Sequence, residues 1–330
     1  MYRRHSGSGI GGSQGDGCVD LSEPGRASSA SAEGLAAELI AVLVAVTDGE
    51  PRVLTIEQGR ALPAGPLEPG HRSLQAGLRS WVEQQTRHPL GYVEQLYTFA
   101  DRDRAAQGAR HISISYLALT REAGPPGEQG VGWQSWYRFF PWEDWRSGGP
   151  MLVRQTIAPL LAAWVRAGAA AARRERRLRV AVDFGLDGEG WNDELVLQRY
   201  ELLWEAGLVP EAAAGAAPLP GTPMMHDHRR ILATGIARLR AKIKYRPVVF
   251  ELMPPEFTLL RLQRTVEALA GRLLHKQNFR RLMEQQALVE ETGGEARETG
   301  GRPAKLFRFR REVLAERAAA GTKLPLARGV

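Results

Sequence analysis

The stretch that decides the fold runs from Met253 to Phe309: MPPEFTLLRLQRTVEALAGRLLHKQNFRRLMEQQALVEETGGEARETGGRPAKLFRF. Pro254 and Pro255 stop any preceding element, and the Thr258 hydroxyl is placed to cap the next helix. Leu259, Leu262, Val266 and Leu269 recur at helical spacing until Gly271. A second helix places Phe279, Leu282, Met283 and Ala287 on one face and Lys276, Gln277, Arg280, Arg281 and Glu284 on the other. TGGEARETGGRPAK then reads as a hairpin tip, with Gly293, Gly294, Gly300 and Gly301 supplying turn geometry. Leu306, Phe307 and Phe309 return as a strand. Two short helices, a Gly-rich basic loop and a strand are the order of a winged helix-turn-helix.

The side chains suit a duplex. Arg and Lys reach phosphate oxygens or guanine edges, and Gln reads adenine edges in the major groove. Arg302, beside Pro303, has the chemistry for a narrow minor groove. Between Arg261 and Arg310 there are 11 Lys and Arg against 6 Glu, so about five of the chain's seven net positive charges fall in this segment. The expected DNA contacts are Lys276, Gln277, Asn278, Arg280 and Arg281 on the helix, with Arg302 and Lys305 on the wing. The bland alternative is a solvated helical hairpin with a basic face.

Particular motifs carry a resemblance. They are Asp227-His228 with Ile231, Phe257-Thr258-Leu259, Asn278-Phe279-Arg280-Arg281, and the run from Gly301 to Phe309, GRPAKLFRF. Over Asp227 to Phe309 the chain resembles the C-terminal domain of the Nudix-related transcriptional regulators of NAD metabolism. The resemblance implies a Nudix-fold domain ahead of the winged helix, a nucleotide effector such as ADP-ribose or NAD, and double-stranded DNA as partner. The upstream order fits that implication. Glu38–Val46 and Arg52–Ile56 read as strands across Asp48-Gly49. Leu74, Leu78, Trp81, Val82 and Gln85 have helical spacing, and Tyr92–Phe99 and His111–Leu119 alternate as strands. The expected fold is α+β: a Nudix-like α/β/α sandwich followed by a winged helix-turn-helix.

A working Nudix box is G-x5-E-x7-R-E-U-x-E-E-x-G-U, where U is bulky and apolar. Aligned on Gly65, the chain keeps Arg79, Trp81 and Glu83. It has His71, Ser80, Gln84, Thr86 and Arg87 at the other fixed positions. Hydrolysis needs clustered carboxylates to hold divalent cations against a pyrophosphate. Glu83 between Ser80 and Gln84 gives a poor site, so the expectation is a cleft that binds a nucleotide without cutting it. Its expected residues are Gly65, Arg72, Arg79 and Glu83, with no catalytic residue, metal or required cofactor. Arg79 and Glu83, at i and i+4, could also pair on the helix surface. The alternative is an active Nudix pyrophosphohydrolase with a DNA-binding tail. A third reading uses the winged helix against protein.

The rest of the chain sets bounds. Its 330 residues can hold two cores. No run of about 18 apolar residues offers a membrane span. Cys18 is the one cysteine, which excludes an internal disulfide and fits a reducing, cytoplasmic setting. Residues 1–33, rich in Gly and Ser, are expected to be disordered, and Gly7, Gly9 and Gly12 are a false dinucleotide motif because no strand precedes them. The sensor is expected over 34–225, the winged helix over 226–310 and a tail over 311–330.

An inserted region at about 150–222 could cover the sheet, form a dimer contact or wall the pocket. Within and beside it, Trp136–Phe140 and Val180–Phe184 are expected as strands. Ile157–Ala172 and Leu195–Ala206 are expected as helices, and Ala212–Pro223 as a linker. RRERRLR from Arg173 reads as a solvated helix end. Asp183, Asp187, Glu189, Asp193 and Glu194 read as a polar loop. In His226-Asp227-His228, Asp227 is expected to cap the helix His228–Ile243, which links the domains. A single short reading helix has little area of its own, so a homodimer on an imperfect palindrome is expected.

Overall fold

The computed structural model describes residues 36–100, 111–122, 130–212, 219–296 and 303–313. Expectations that fall elsewhere lie outside the described residues. These include disorder in 1–33, Cys18, the Gly7-Gly9-Gly12 string, most of the 311–330 tail, and Arg302.

The front half is built on one mixed sheet. Its strands are β1 (Ala36–Thr47), β2 (Glu50–Thr55), β3 (Ala64–Pro66), β4 (Tyr92–Phe99), β5 (His111–Leu119) and β6 (Gly132–Ser135). The order is β4-β5-β1-β2-β6, with β3 also on β1. β1 runs parallel to β5 and antiparallel to β2 and β3. β1 is apolar at every position from Leu39 to Val46, which suits a central strand covered on both faces. Alternation sends Leu39, Ala41 and Leu43 to one side, against Leu78 and Val82 of helix α1 (Leu74–Thr86). Ile40, Val42 and Val44 point to the other side, toward Ile231, Leu232 and Ile236 of helix α5 (His228–Lys242). Gly235 lets α5 lie this close, since a Cβ there would meet Val42 at 2.8 Å. Sheet and two helical layers form an α/β/α sandwich.

Helices α2 (Ala158–Ala167), α3 (Ala170–Phe184) and α4 (Val196–Glu205) intervene in sequence between β6 and α5. α4 packs on α5 and on α3. Several local expectations are corrected here. Val180–Phe184 is not a strand but the last turn of α3, with Val180, Ala181 and Phe184 buried at helical spacing. The expected helix Ile157–Ala172 breaks at Gly168, after a π-helical turn over Val153–Ile157. The strand expected at Trp136–Phe140 lies earlier, as β6, and Trp136–Arg138 is a 3-10 turn whose Trp136 and Tyr137 rings are buried. Asp227 stands at the N-cap of α5 without a side-chain bond to it, its carboxylate 3.8 Å from Arg230. α5 is a layer of the sandwich, so the span 226–310 includes one sandwich helix ahead of the winged helix.

The C-terminal part begins with a 3-10 turn at Val248–Leu252. Helices α6 (Leu259–Ala270) and α7 (Lys276–Gln285) come next, then strands β7 (Val289–Ala296) and β8 (Ala304–Phe309). Phe257 adds a third, single-residue rung to β8 through paired backbone bonds with Phe307, 2.9 and 2.8 Å long. Phe250 stacks on Phe309 with centroids 4.2 Å apart. The wing is thereby tied to the helices. Among the described residues no helix is long and apolar enough to cross a membrane.

Candidate nucleic-acid interface

The two short helices meet at a fixed angle. Thr258 accepts from the Arg261 N–H at 3.1 Å and starts α6. Gly271, with φ of 72°, ends it in the left-handed conformation that glycine tolerates best. The connecting turn is then bolted by buried polar groups. Glu267 accepts from the Leu274 N–H at 2.8 Å and from Gln263 at 2.9 Å. Gln263 also donates to the Leu274 carbonyl at 3.1 Å. Sequence reasoning missed Gln263 and Glu267 because both look like ordinary surface residues of a helix.

α7 anchors through Phe279 and Met283, which are buried. Lys276, Gln277, Asn278, Arg280 and Arg281 are all exposed, and among the described residues none of their side chains has a hydrogen-bond or ion-pair partner. The stretch Lys276–Arg281 therefore presents three cations and two amides to solvent. The expectation for Leu282 fails: it is 45% exposed, because only the Phe279–Met283 edge touches α6. Ala287 is exposed too, beyond the helix end at φ of 48°.

The wing differs from the expected simple tip. Thr292 to Ala296 belong to β7, and a register shift between Glu291 and Glu295 makes a bulge at Gly293, whose φ is 80°. Lys305 is exposed but held by both oxygens of Glu291 at 2.9 Å. Arg308 bonds Glu290 at 2.5 Å. The hairpin thus neutralises two of its own cations across the strands, unlike α7.

The Nudix-like helix α1 is arranged for packing at several of its expected ligand positions. Gly65 is the floor on which Trp81 lies, since a Cβ there would sit 2.3 Å from the indole. The Trp81 indole donates to the Pro66 carbonyl at 2.9 Å. Gln85 clasps Ala64 through both its carbonyl and its N–H, at 2.7 and 3.2 Å. Arg79 does not pair with Glu83. Its guanidinium donates to the carbonyls of Leu90 and Gly91, the latter at 3.0 Å, and fixes the loop after α1. Arg72 and Glu83 are exposed. His71, in the place of a box carboxylate, accepts from the Glu68 N–H at 3.1 Å. Among the described residues no group of three or more His, Cys, Asp or Glu could hold a metal ion. The acidic loop is drawn partly into ion pairs, with Lys244 2.8 Å from both Asp193 and Glu194.

Residues 249–309 match the NrtR DNA-binding winged helix domain family. The ADPR responsive transcriptional repressor NtrR of Acinetobacter baylyi is 43% identical over 83 residues. That alignment takes in 25% of this chain and 33% of the relative, so the chain matches about a third of the length of that relative. The fold match is broader. Shewanella oneidensis NrtR complexed with a 27mer DNA has a TM-score of 0.51 at 20% identity, over 84% of this chain and 95% of that one. A MutT/nudix family protein from Enterococcus faecalis has a TM-score of 0.50 at 17% identity, over 88% and 90% respectively. The α/β/α sandwich is Nudix-like, and the winged helix behind it is of the NrtR type.

The NrtR-type winged helix is fastened to the sandwich by charges that sequence reading did not anticipate. Glu143, between β6 and α2, is 1% exposed. It accepts from Arg199 of α4 at 2.6 and 2.9 Å and from Arg240 of α5 at 2.6 Å. Arg240 also donates to the Leu269 carbonyl at 2.8 Å, and Tyr137 donates to the Ala268 carbonyl at 2.7 Å. The Trp145 N–H reaches the Gly271 carbonyl at 2.6 Å. These carbonyls at the end of α6, left without partners by helix geometry, are taken by the sandwich side. Burial alone would lower the Arg240 pKa, but the Glu143 charge more than reverses it and holds the guanidinium protonated. At the opposite end of α5 from Arg240, the His228 Nδ1 accepts from the Leu62 N–H at 2.8 Å. Burial, with the His226 charge, pushes its pKa down to about 4, so this imidazole is neutral and structural.

Proposed function

We propose that the chain is a DNA-binding transcriptional repressor of NAD-metabolism genes whose Nudix-like sandwich senses a nucleotide such as ADP-ribose or NAD. The observation that carries this reading is the exposed, unpartnered set Lys276, Gln277, Asn278, Arg280 and Arg281 on α7, in a segment that matches the NrtR DNA-binding winged helix family. Cations with no protein partner are available to phosphates, and amides beside them to base edges. The relative named as an ADPR responsive repressor supports the effector class, and the solved NrtR bound to a 27mer supports duplex DNA. The repressor works as a homodimer in the cytoplasm, one copy per half-site, and needs no cofactor.

The sandwich acts as sensor and not as hydrolase. Glu83 is exposed on α1, while the neighbouring box positions hold Ser80 and Gln84, and Arg79 is committed to backbone carbonyls. Such a site lacks the carboxylates that would hold Mg²⁺ against a pyrophosphate. Arg72 and Glu83 remain the ligand-contact assignments, with Arg79 shaping the site through the loop after α1 and Gly65 serving in β3 as the seat of Trp81.

The test is a gel shift of the full chain against its own upstream region, with and without ADP-ribose, NAD or NADH. A retarded band whose midpoint moves about tenfold with one nucleotide is the expected result, in the ordinary range of allosteric coupling. No retarded band would favour a protein-binding module. Release of AMP from ADP-ribose with Mg²⁺ or Mn²⁺ would make the chain a hydrolase.

A further inference from the structure

Behind the exposed face of α7 lies a cavity of about 230 Å³ that neither the DNA reading nor the nucleotide reading uses. Phe250, Leu262, Val266, Phe279 and Met283 form its apolar wall. The cavity is partly open to solvent, and an enclosed one of about 150 Å³ already accepts benzene. This one is half as large again, which is a ring plus two or three further atoms. A nucleotide is too large for it and would find too few polar partners.

The charges around the cavity are unbalanced. Asp193, Lys244, Arg246 and Arg272 line it together with Tyr245. Lys244 is offset by Asp193 and Glu194, each at 2.8 Å. Arg246 and Arg272 are exposed, and among the described residues neither guanidinium has an ion-pair or hydrogen-bond partner, although the Arg246 charge is also felt by Tyr92 and Lys242. Two free guanidiniums beside an apolar void complement one kind of molecule.

We infer that this cavity binds a small organic carboxylate, its aromatic or short acyl body within the apolar wall and its anion facing Arg246 and Arg272. The occupant would rest on Phe279 and Met283, the buried side of the helix that displays Lys276 and Arg280. The site is separate from the Nudix-like cleft, and its occupancy can be read without DNA or nucleotide.

The probe is 3-phenylpropionate, with 3-phenylpropan-1-ol as its uncharged counterpart, titrated into the full chain by calorimetry. Methyl NMR of the methionines runs in parallel, with the Met283 signal assigned through Met283→Leu. The expected result is saturable one-to-one binding of the carboxylate and a shift of the Met283 methyl. The Arg246→Ala/Arg272→Ala pair should weaken binding about 10- to 100-fold, the usual loss for charge-assisted bonds. Val266→Trp, which fills the void, should abolish it. If that variant unfolds, the Met283 shift in the unmodified chain decides alone. No saturable heat with an unmoved Met283 methyl overturns the proposal. So does equal affinity for the alcohol, or undiminished binding in a folded Val266→Trp chain.

Discussion

Replacing Glu143 by Gln should unfold this protein far more easily than any loss of a surface charge. The carboxylate accepts three bonds of 2.6, 2.9 and 2.6 Å from Arg199 and Arg240, whose side chains are both 0% exposed. An amide keeps the shape but removes the charge and turns one acceptor into a donor. Two buried guanidiniums would then face each other without a counter-ion. Breaking a buried pair in this way costs about 3–5 kcal/mol, against a whole-protein stability of about 5–15 kcal/mol. At roughly 1.5 °C per kcal/mol for a chain of 330 residues, the melting point should fall by about 4–8 °C. Urea unfolding tracked by tryptophan fluorescence is the assay, because Arg199 lies 3.8 Å over the Trp191 ring and reports directly on the cluster. Changing Glu143, Arg199 and Arg240 together to Met should recover part of the loss, since an apolar set leaves no stranded charge. The carbonyls of Leu269 and Asp193, which Arg240 now satisfies, limit that recovery. A Glu143→Gln protein within about 1 kcal/mol of the unmodified chain would refute the view that the pairing is what holds these groups inside.

Three further outcomes are expected. Arg281→Ala should weaken DNA binding and flatten its dependence on log salt by about one unit, measured at several salt concentrations; an unchanged slope removes Arg281 from the phosphate contacts. Stability should drop as pH falls from the ordinary 6.5 of His228 toward about 4, because the unfolded chain takes up a proton that the buried imidazole refuses. The contribution is about 3 kcal/mol and fully present above pH 6.5, and His228→Gln should flatten that slope in urea titrations at pH 5 and pH 7. Gly271→Ala should cost about 1–3 kcal/mol in the same assay, since its Cβ would stand 2.5 Å from the Glu143 carbonyl at a φ of 72°; a neutral effect would mean that the end of α6 is free to shift.

What could be read from sequence was what is decided locally. Thr258 and Gly271 mark α6 by chemistry confined to a few residues, and both ends lie where that chemistry puts them. The continuous apolar run of β1 likewise announces a strand covered on both faces. The failures share a cause. Val180 and Val182 alternate like a strand, but packing of α3 on α4 overrides that preference. Arg199, Arg229 and Arg240 were passed over in the sequence, yet each is fully buried, because its partner comes from a distant segment. Glu211, for example, lies 3.0 Å from Arg229. The Nudix-like helix suffers the same blindness. Arg79 at i and Glu83 at i+4 invite a pair, and only the fold brings the Leu90 and Gly91 carbonyls within reach instead. The exposure of Lys276, Gln277, Asn278, Arg280 and Arg281 on α7 was legible from helical period, which failed on that helix only for Leu282.

The union of Glu143, Arg199 and Arg240 has an evolutionary corollary. Glu143 cannot change singly without stranding two guanidiniums, so descent should tie its loss to that of both arginines. Among homologous chains, an apolar residue at the position of Glu143 is expected to arrive with apolar residues at both arginine positions, and mixed sets should be rare. Where the trio is missing altogether, the winged helix would have lost its anchorage, and a different set of bonds should secure the end of its first helix.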